Sequence, residues 1–194
     1  MCIIADEVFL DFGLDTHPQS FAANQDALTF TMSGLSKISG LPQMKLAWLA
    51  VSGPGEGQRE ALARLEVIAD TYLSLNAPIQ LAAGPLLDQR DVFQQQLVAR
   101  VRKNLAELDL QLARQKACAR LQVEGGWYAV LRVPATLPDE ELAIELLERH
   151  GVYLHPGHFY GFSRDGYLVV SLITPERDFG EGVKQVLEHL TGQS

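Results

Sequence analysis

Cysteine is nearly missing from this chain. Its 194 residues contain two, Cys2 and Cys118, far apart and outside any Cys-x-x-Cys spacing. That pattern argues against both a disulfide framework and a cysteine-based zinc site, and it fits a reducing cytoplasm. No apolar run approaches the roughly 20 residues that span a bilayer. The start, Met1-Cys2-Ile3-Ile4-Ala5, lacks the basic flank and the length of a signal peptide. It reads instead as a strand cut open at its beginning. Basic runs are missing too: 16 Lys and Arg stand against 24 Asp and Glu, a formal net charge of −8. Phosphate backbones need cationic neutralisation, so neither nucleic acid nor a membrane is an expected partner.

What is present is an ordinary globular composition, 47% hydrophobic, enough to bury a sizeable core. Residues 1–5 form a short apolar run that suits a buried parallel strand, with Asp6 at its end. Residues 28–32 read as a second strand that stops in a Ser/Gly loop, which would hold Lys37 just past the strand's end. Open α/β sheets bind ligands there. After Pro42 a third apolar run covers residues 45–51. The segment Gly53-Pro54-Gly55-Glu56-Gly57 has the glycine content of a phosphate loop, but Pro54 makes it a turn before a helix. Between the first two strands lies a loop composition in which His17 is solvated.

Helical spacing follows. Leu62, Leu65, Ile68, Ala69 and Tyr72 share one face of a helix over residues 60–75, and a second helix covers 79–87. A long one starts near Asp91, with a stripe of Phe93, Leu97, Val101, Leu105, Leu108 and Leu112 and its charges on the solvated side. Strands are then expected over residues 118–123 and 127–131, and again over 152–154 and 167–172. Between these pairs a helix is opened by Asp139 as N-cap and closed by Gly151, and a last helix is marked by Phe179, Val183, Val186 and Leu190. This order describes an α+β unit. His155-Pro156-Gly157-His158 has no cysteine or carboxylate cluster beside it and reads as a turn rather than a metal site. His150 and His189 read as structural.

Four blocks carry a resemblance. They are Asp6; Ser36-Lys37 with Gly40, Leu41 and Trp48; Gly125-Gly126-Trp127-Tyr128; and Gly151-Val152 leading to Pro156-Gly157. Together they resemble the class I/II aminotransferases of fold type I, which use pyridoxal 5'-phosphate (PLP). The resemblance covers essentially the whole chain but only the C-terminal half of such an enzyme. It implies an α/β fold: a partial large-domain sheet of a PLP-dependent transferase, over residues 1–90, followed by a linking helix and a small α+β C-terminal domain, over residues 91–194. It also makes the third strand antiparallel to the first two.

The resemblance further implies that Lys37 carries PLP as a Schiff base and then moves the substrate's Cα proton as base and acid. Asp6 would pair with the pyridinium nitrogen, and Ser36 and Lys45 would hold the phosphate. Phe9 stands where a tyrosine usually bonds the cofactor's phenolic oxygen. Lys45 replaces an arginine, Gly34 a serine and Ala47 a glycine. No arginine occurs in residues 168–171, where the substrate carboxylate is usually gripped, which leaves Arg164 as a weak substitute. The expected substrates are an amino acid and a 2-oxo acid. The expected partner is a second copy or the missing N-terminal half. A same-fold lyase or decarboxylase, and a noncatalytic fragment of a split or truncated gene, are the alternatives.

Overall fold

Parallel strands need a crossover between them, and the long connection from the first strand to the second supplies one. A computed structural model describes residues 1–15, 18–72 and 75–192, so the reading of His17 lies outside the described residues. The chain forms two compact units, Met1–Gln95 and Gln96–Ser194.

In the first unit, β1 (Cys2–Asp6) pairs in parallel with β2 (Leu28–Gly34), Cys2 opposite Leu28 and Asp6 opposite Met32. β3 (Ala47–Ser52) runs antiparallel to β2, from Thr29 opposite Ser52 to Gly34 opposite Ala47. β2 is thus the middle strand. It is less uniformly apolar than its reading suggested: besides Gly34, Thr29 and Thr31 are the residues it buries. Asn24 donates to Thr29 Oγ1 at 2.8 Å, which compensates one of them.

A helical turn, α1 (Leu35–Ile38), follows β2 directly. Lys37 therefore sits on a helix rather than in the expected loop. The strand expected from Lys45 starts two residues later, because a 3-10 turn over Pro42–Met44 ends with Lys45 in the left-handed region, φ 54°. Three helices follow, α2 (Gly55–Thr71), α3 (Ala77–Asp88) and α4 (Arg90–Leu112). The Asn76 side chain caps α3 by accepting from Ile79 N at 3.1 Å. Leu35, Leu46 and Ile79 are buried together, with Leu41, Met44 and Leu86 packed against them. The apolar side of α2 does not face this core. Leu62, Ile68 and Tyr72 are 48%, 52% and 78% exposed and only Ala61 is buried, so the helix turns outward the face its spacing predicts as inward.

The second unit holds an antiparallel sheet in the order β4 (Ala119–Arg120), β5 (Tyr128–Arg132), β7 (Tyr167–Ser171), β6 (His155–Pro156). Ala129, Leu131, Leu168 and Val170 occupy one face and are buried in a core shared with Leu142 and Leu146 of α5 (Asp139–His150) and Phe179, Val183 and Val186 of α6 (Glu176–Thr191). The strands expected over 118–123 and 152–154 shrink or shift to β4 and β6. Within this unit α4 buries Val101, Asn104, Leu108 and Leu112. Its stripe is rotated to include Asn104 in place of Leu105, because the Asn104 amide donates to Leu172 O and Thr174 O at 2.9 and 2.8 Å.

Asp139 differs from its expected role. Pro138 is the N-cap, and the Asp139 carboxylate, 1% exposed, accepts from the N–H groups of Gly166 and Tyr167 at 2.6 and 3.2 Å. Gly151 does end α5, in the left-handed region at φ 66°. His150 and His189, at the ends of α5 and α6, face each other with ring nitrogens 3.1 Å apart. No helix among the described residues is long and apolar enough to cross a membrane.

Candidate active site

Because β1 and β2 are parallel, they end on the same side of the sheet, and because β3 is antiparallel it begins there. Asp6 closes β1, Ser36 and Lys37 stand one turn beyond β2, and Lys45 precedes β3. The topology therefore gathers the carboxylate, the hydroxyl and two ammonium groups at one end of three adjacent strands. Asp6 is exposed and its Oδ1 accepts from Val8 N at 3.1 Å, a short turn that leads the chain to Phe9. The Lys37 ammonium lies over the Phe9 ring, 5.5 Å from its centroid.

Two glycines shape the turn that carries Lys37. At Gly34 a Cβ would stand 2.8 Å from Leu46 O and 3.0 Å from Ala47 Cα, both backbone atoms, so a side chain there would collide with β3. Gly40 has φ +64°, and a Cβ on it would meet the Phe93 ring of α4. Ser33 Oγ and Thr31 Oγ1, on β2, are buried without hydrogen-bond partners among the described residues. A spare hydroxyl just before the lysine turn, with Ser36 on it and Lys45 at the facing strand's start, is a donor set suited to a phosphorylated ligand. An amine and a carboxylate complete what PLP requires, and the residues present fit it.

Arg164 belongs to the second unit. Its Nη2 donates to Tyr167 Oη at 3.1 Å and its guanidinium lies over the same ring at 5.9 Å. Close by in that unit is a network that the sequence reading missed. His155 Nδ1 is 2.9 Å from Tyr160 Oη, and its Nε2 is 3.1 Å from Tyr153 Oη. Burial pushes the Tyr160 phenol above its ordinary value, and the phenols of Tyr128 and Tyr153 add to the shift. Its sequence signal was available: residues 153–160, Tyr-Leu-His-Pro-Gly-His-Phe-Tyr, are unusually rich in rings for a turn.

A lysine just beyond a middle strand and a carboxylate at the end of its parallel neighbour, in a chain that also holds an α+β unit, suit a PLP-dependent transferase. The family model for aminotransferase class I and II matches residues 1–178, and the chain belongs to that family. No curated protein sequence matches the chain. Among solved structures, an aminotransferase from Escherichia coli superimposes with a TM-score of 0.86 at 18% identity, over 99% of this chain and 50% of that one. Tyrosine aminotransferase from Leishmania infantum gives 0.85 at 18% identity, over 97% and 48%. The PLP-dependent cyclase OrfR gives 0.83 at 23% identity, over 100% and 51%. These likenesses are of fold. The chain thus spans about half the length of the structures it matches.

Proposed function

We propose that this chain is the lysine-bearing part of an aminotransferase that moves an amino group between an amino acid and a 2-oxo acid. The observation that carries the reading is the position of Lys37, one helical turn beyond the middle strand, with Asp6 ending the parallel strand beside it. PLP, when bound, supplies an electron sink. Lys37 would hold it covalently through Nζ and, once displaced, take and return the proton at the substrate's Cα. The Asp6 carboxylate would accept from the pyridinium nitrogen. Ser36 and Lys45 would hold the phosphate, with Lys45 acting as a point charge rather than a fork.

The rest of such a fold would have to be supplied for full activity, in the same polypeptide or by another. The outward apolar side chains of β3 and α2 support this, since Leu49 on the strand, Leu62 and Ile68 on the helix and Tyr72 at its end are all exposed. Either a second copy or a separate N-terminal half could cover them. PLP added to the purified full chain, followed by borohydride reduction and mass mapping, tests the reading. A reduced adduct on Lys37, absent in Lys37→Ala, is the expected result. An adduct on another lysine, at full yield in the variant, overturns it.

A second reading has one specific observation in its favour: a cyclase is among the matched structures, so the fold also carries reactions other than transfer. A lyase or decarboxylase would release different products. Recovery of a keto acid together with an aminated acceptor distinguishes transfer from either. A chain that traps no PLP even when the N-terminal half of a relative is supplied would be a noncatalytic fragment.

A further inference from the structure

The sheet of the second unit has a face opposite to its core, and directly paired residues project to the same side. On that face stand Tyr128 and Arg132 of β5, Tyr167 and Val169 of β7, and His155 of β6, which is the register partner of Val169. His155 is the hub. Its ring is stacked on Tyr160, with centroids 6.0 Å apart, and meets Tyr153 edge to face at 5.3 Å. Tyr160 in turn lies 6.1 Å from Tyr128, and Phe159 packs 6.0 Å from His155. These rings are not buried: Tyr128 is 37% exposed, Tyr160 45%, Phe159 62% and Tyr153 74%.

We propose that the Tyr153–His155–Tyr160 relay is a carboxylate-recognition site, and that its ligand is a substrate carboxylate whose apolar or aromatic side chain rests on the rings of Phe159 and Tyr128. The naming of that carboxylate as a substrate's rests on the aminotransferase reading; the site itself does not.

Hydrogen counting carries the argument. A neutral imidazole has one N–H and one acceptor nitrogen, so one of the two phenols must donate its hydrogen into the ring. Only the other phenol can then donate outward. A protonated imidazole donates from both nitrogens, which frees both phenol hydrogens for an outside acceptor. An anion supplies the charge that favours this second state. With a cationic ring at its hub the relay thus offers an anion two outward donors. Arg132 and Arg164 flank Tyr167 on this side and bias it further toward anions. His158 meets Phe159 edge to face, while Asp139 and Asp165 are engaged by backbone N–H groups. The raised Tyr160 phenol stays a donor at neutral pH.

The test is a nuclear magnetic resonance titration of the full chain, labelled in its histidine rings, with 3-phenylpropanoate as probe. Its arms are phenethylamine, acetate and inorganic phosphate. We expect 3-phenylpropanoate to move the His155 signals and to outcompete all three arms. Tyr153→Phe and Tyr160→Phe, which keep the rings, should each weaken it by about tenfold, the loss of one charge-assisted hydrogen bond. His155→Gln, which cannot carry the positive charge that leaves both phenols as outward donors, should weaken it as well. Phenethylamine or phosphate binding as tightly as the probe overturns the assignment, as does a Tyr160→Phe variant with undiminished affinity. Acetate equal to 3-phenylpropanoate overturns the side-chain part. Borohydride trapping is a separate readout: a chain that binds the carboxylate but traps no PLP overturns the aminotransferase reading and leaves the relay standing.

Discussion

The Lys37 ammonium sits 5.5 Å from the centroid of the Phe9 ring, where a cation meets the negative face of the π system. Phe9 thus contacts Lys37, the proposed reactive lysine, through its ring, at a position where the resemblance implies a tyrosine hydroxyl. Phe9→Tyr is expected to keep the ring contact and add a donor. A donor to the cofactor's phenolic oxygen favours its deprotonated form, so the PLP-loaded variant should lose its long-wavelength absorption at lower pH than the parent. Coincident spectral titrations of the two proteins would show that the added hydroxyl reaches nothing.

Asp139 is the buried carboxylate that ties the start of α5 to the start of β7. Removing it leaves the N–H groups of Gly166 and Tyr167 without their acceptor in a site 1% exposed. Asp139→Ala should therefore cost about 2–4 kcal/mol, in the range for breaking a buried charged hydrogen-bond set. Asp139→Asn keeps one acceptor oxygen and should cost less. Denaturant midpoints of the full chain measure both. Equal stability of the alanine variant and the parent would mean that these bonds are replaced by water.

The parts of this fold that were legible in the sequence are those governed by local rules. Gly151 ended α5 because a helix stop needs a left-handed residue, and α6 was found because Phe179, Val183, Val186 and Leu190 recur at helical spacing. The antiparallel sense of β3 came from the resemblance, not from its residues. What failed depends on distant partners. Asp139 looks like an N-cap until Gly166 and Tyr167 arrive at its carboxylate, and Asn104 lies outside the expected apolar stripe, its burial following from the carbonyls of Leu172 and Thr174 that meet it. The side of α2 that faces out is likewise beyond its periodicity, which gives a stripe but not its occupant. In the candidate site the sequence order of Asp6, Ser36, Lys37 and Lys45 was readable; their gathering at one sheet end follows from the strand directions.

Cys118 is buried, and loss of solvent pushes its thiol above the ordinary value. The sign for stability follows. In the pH range between the unfolded and folded thiol values the folded state binds more protons, so stability falls as pH rises there. The contribution is complete below the unfolded value, about pH 8.5, and is lost above it. Cys118→Ala should therefore flatten the alkaline decline of stability, at some cost in packing at all pH values. The exposed Cys2 should react with a thiol reagent in the native protein while Cys118 waits for unfolding. Simultaneous labelling of both would show that the Cys118 site opens readily.

Gly34 and Ala47 are register partners across β2 and β3, and here each departs from the family's usual residue: Gly34 stands for a serine and Ala47 for a glycine. The two departures are coupled by space. Gly34 is extended, with φ 178°, so any residue could adopt its backbone, and the constraint is purely steric. A Cβ there would lie 3.1 Å from Ala47 Cβ as well as 2.8 Å from Leu46 O. Gly34→Ser should cost about 1–3 kcal/mol, the usual price of overpacking. It should also fail to strengthen PLP binding, although it adds a hydroxyl near the proposed phosphate-binding residues. Ala47→Gly removes one of the three close contacts and leaves Leu46 O and the Cα of residue 47 in place, so the double variant should recover part of the loss. A coupling energy of about 0.5–1.5 kcal/mol between the two positions is expected from residues in direct contact. Chemical denaturation of the parent, both single variants and the double variant closes the cycle. Strict additivity would mean that β3 moves away from position 34 without resistance, and the serine would then be free to serve the phosphate.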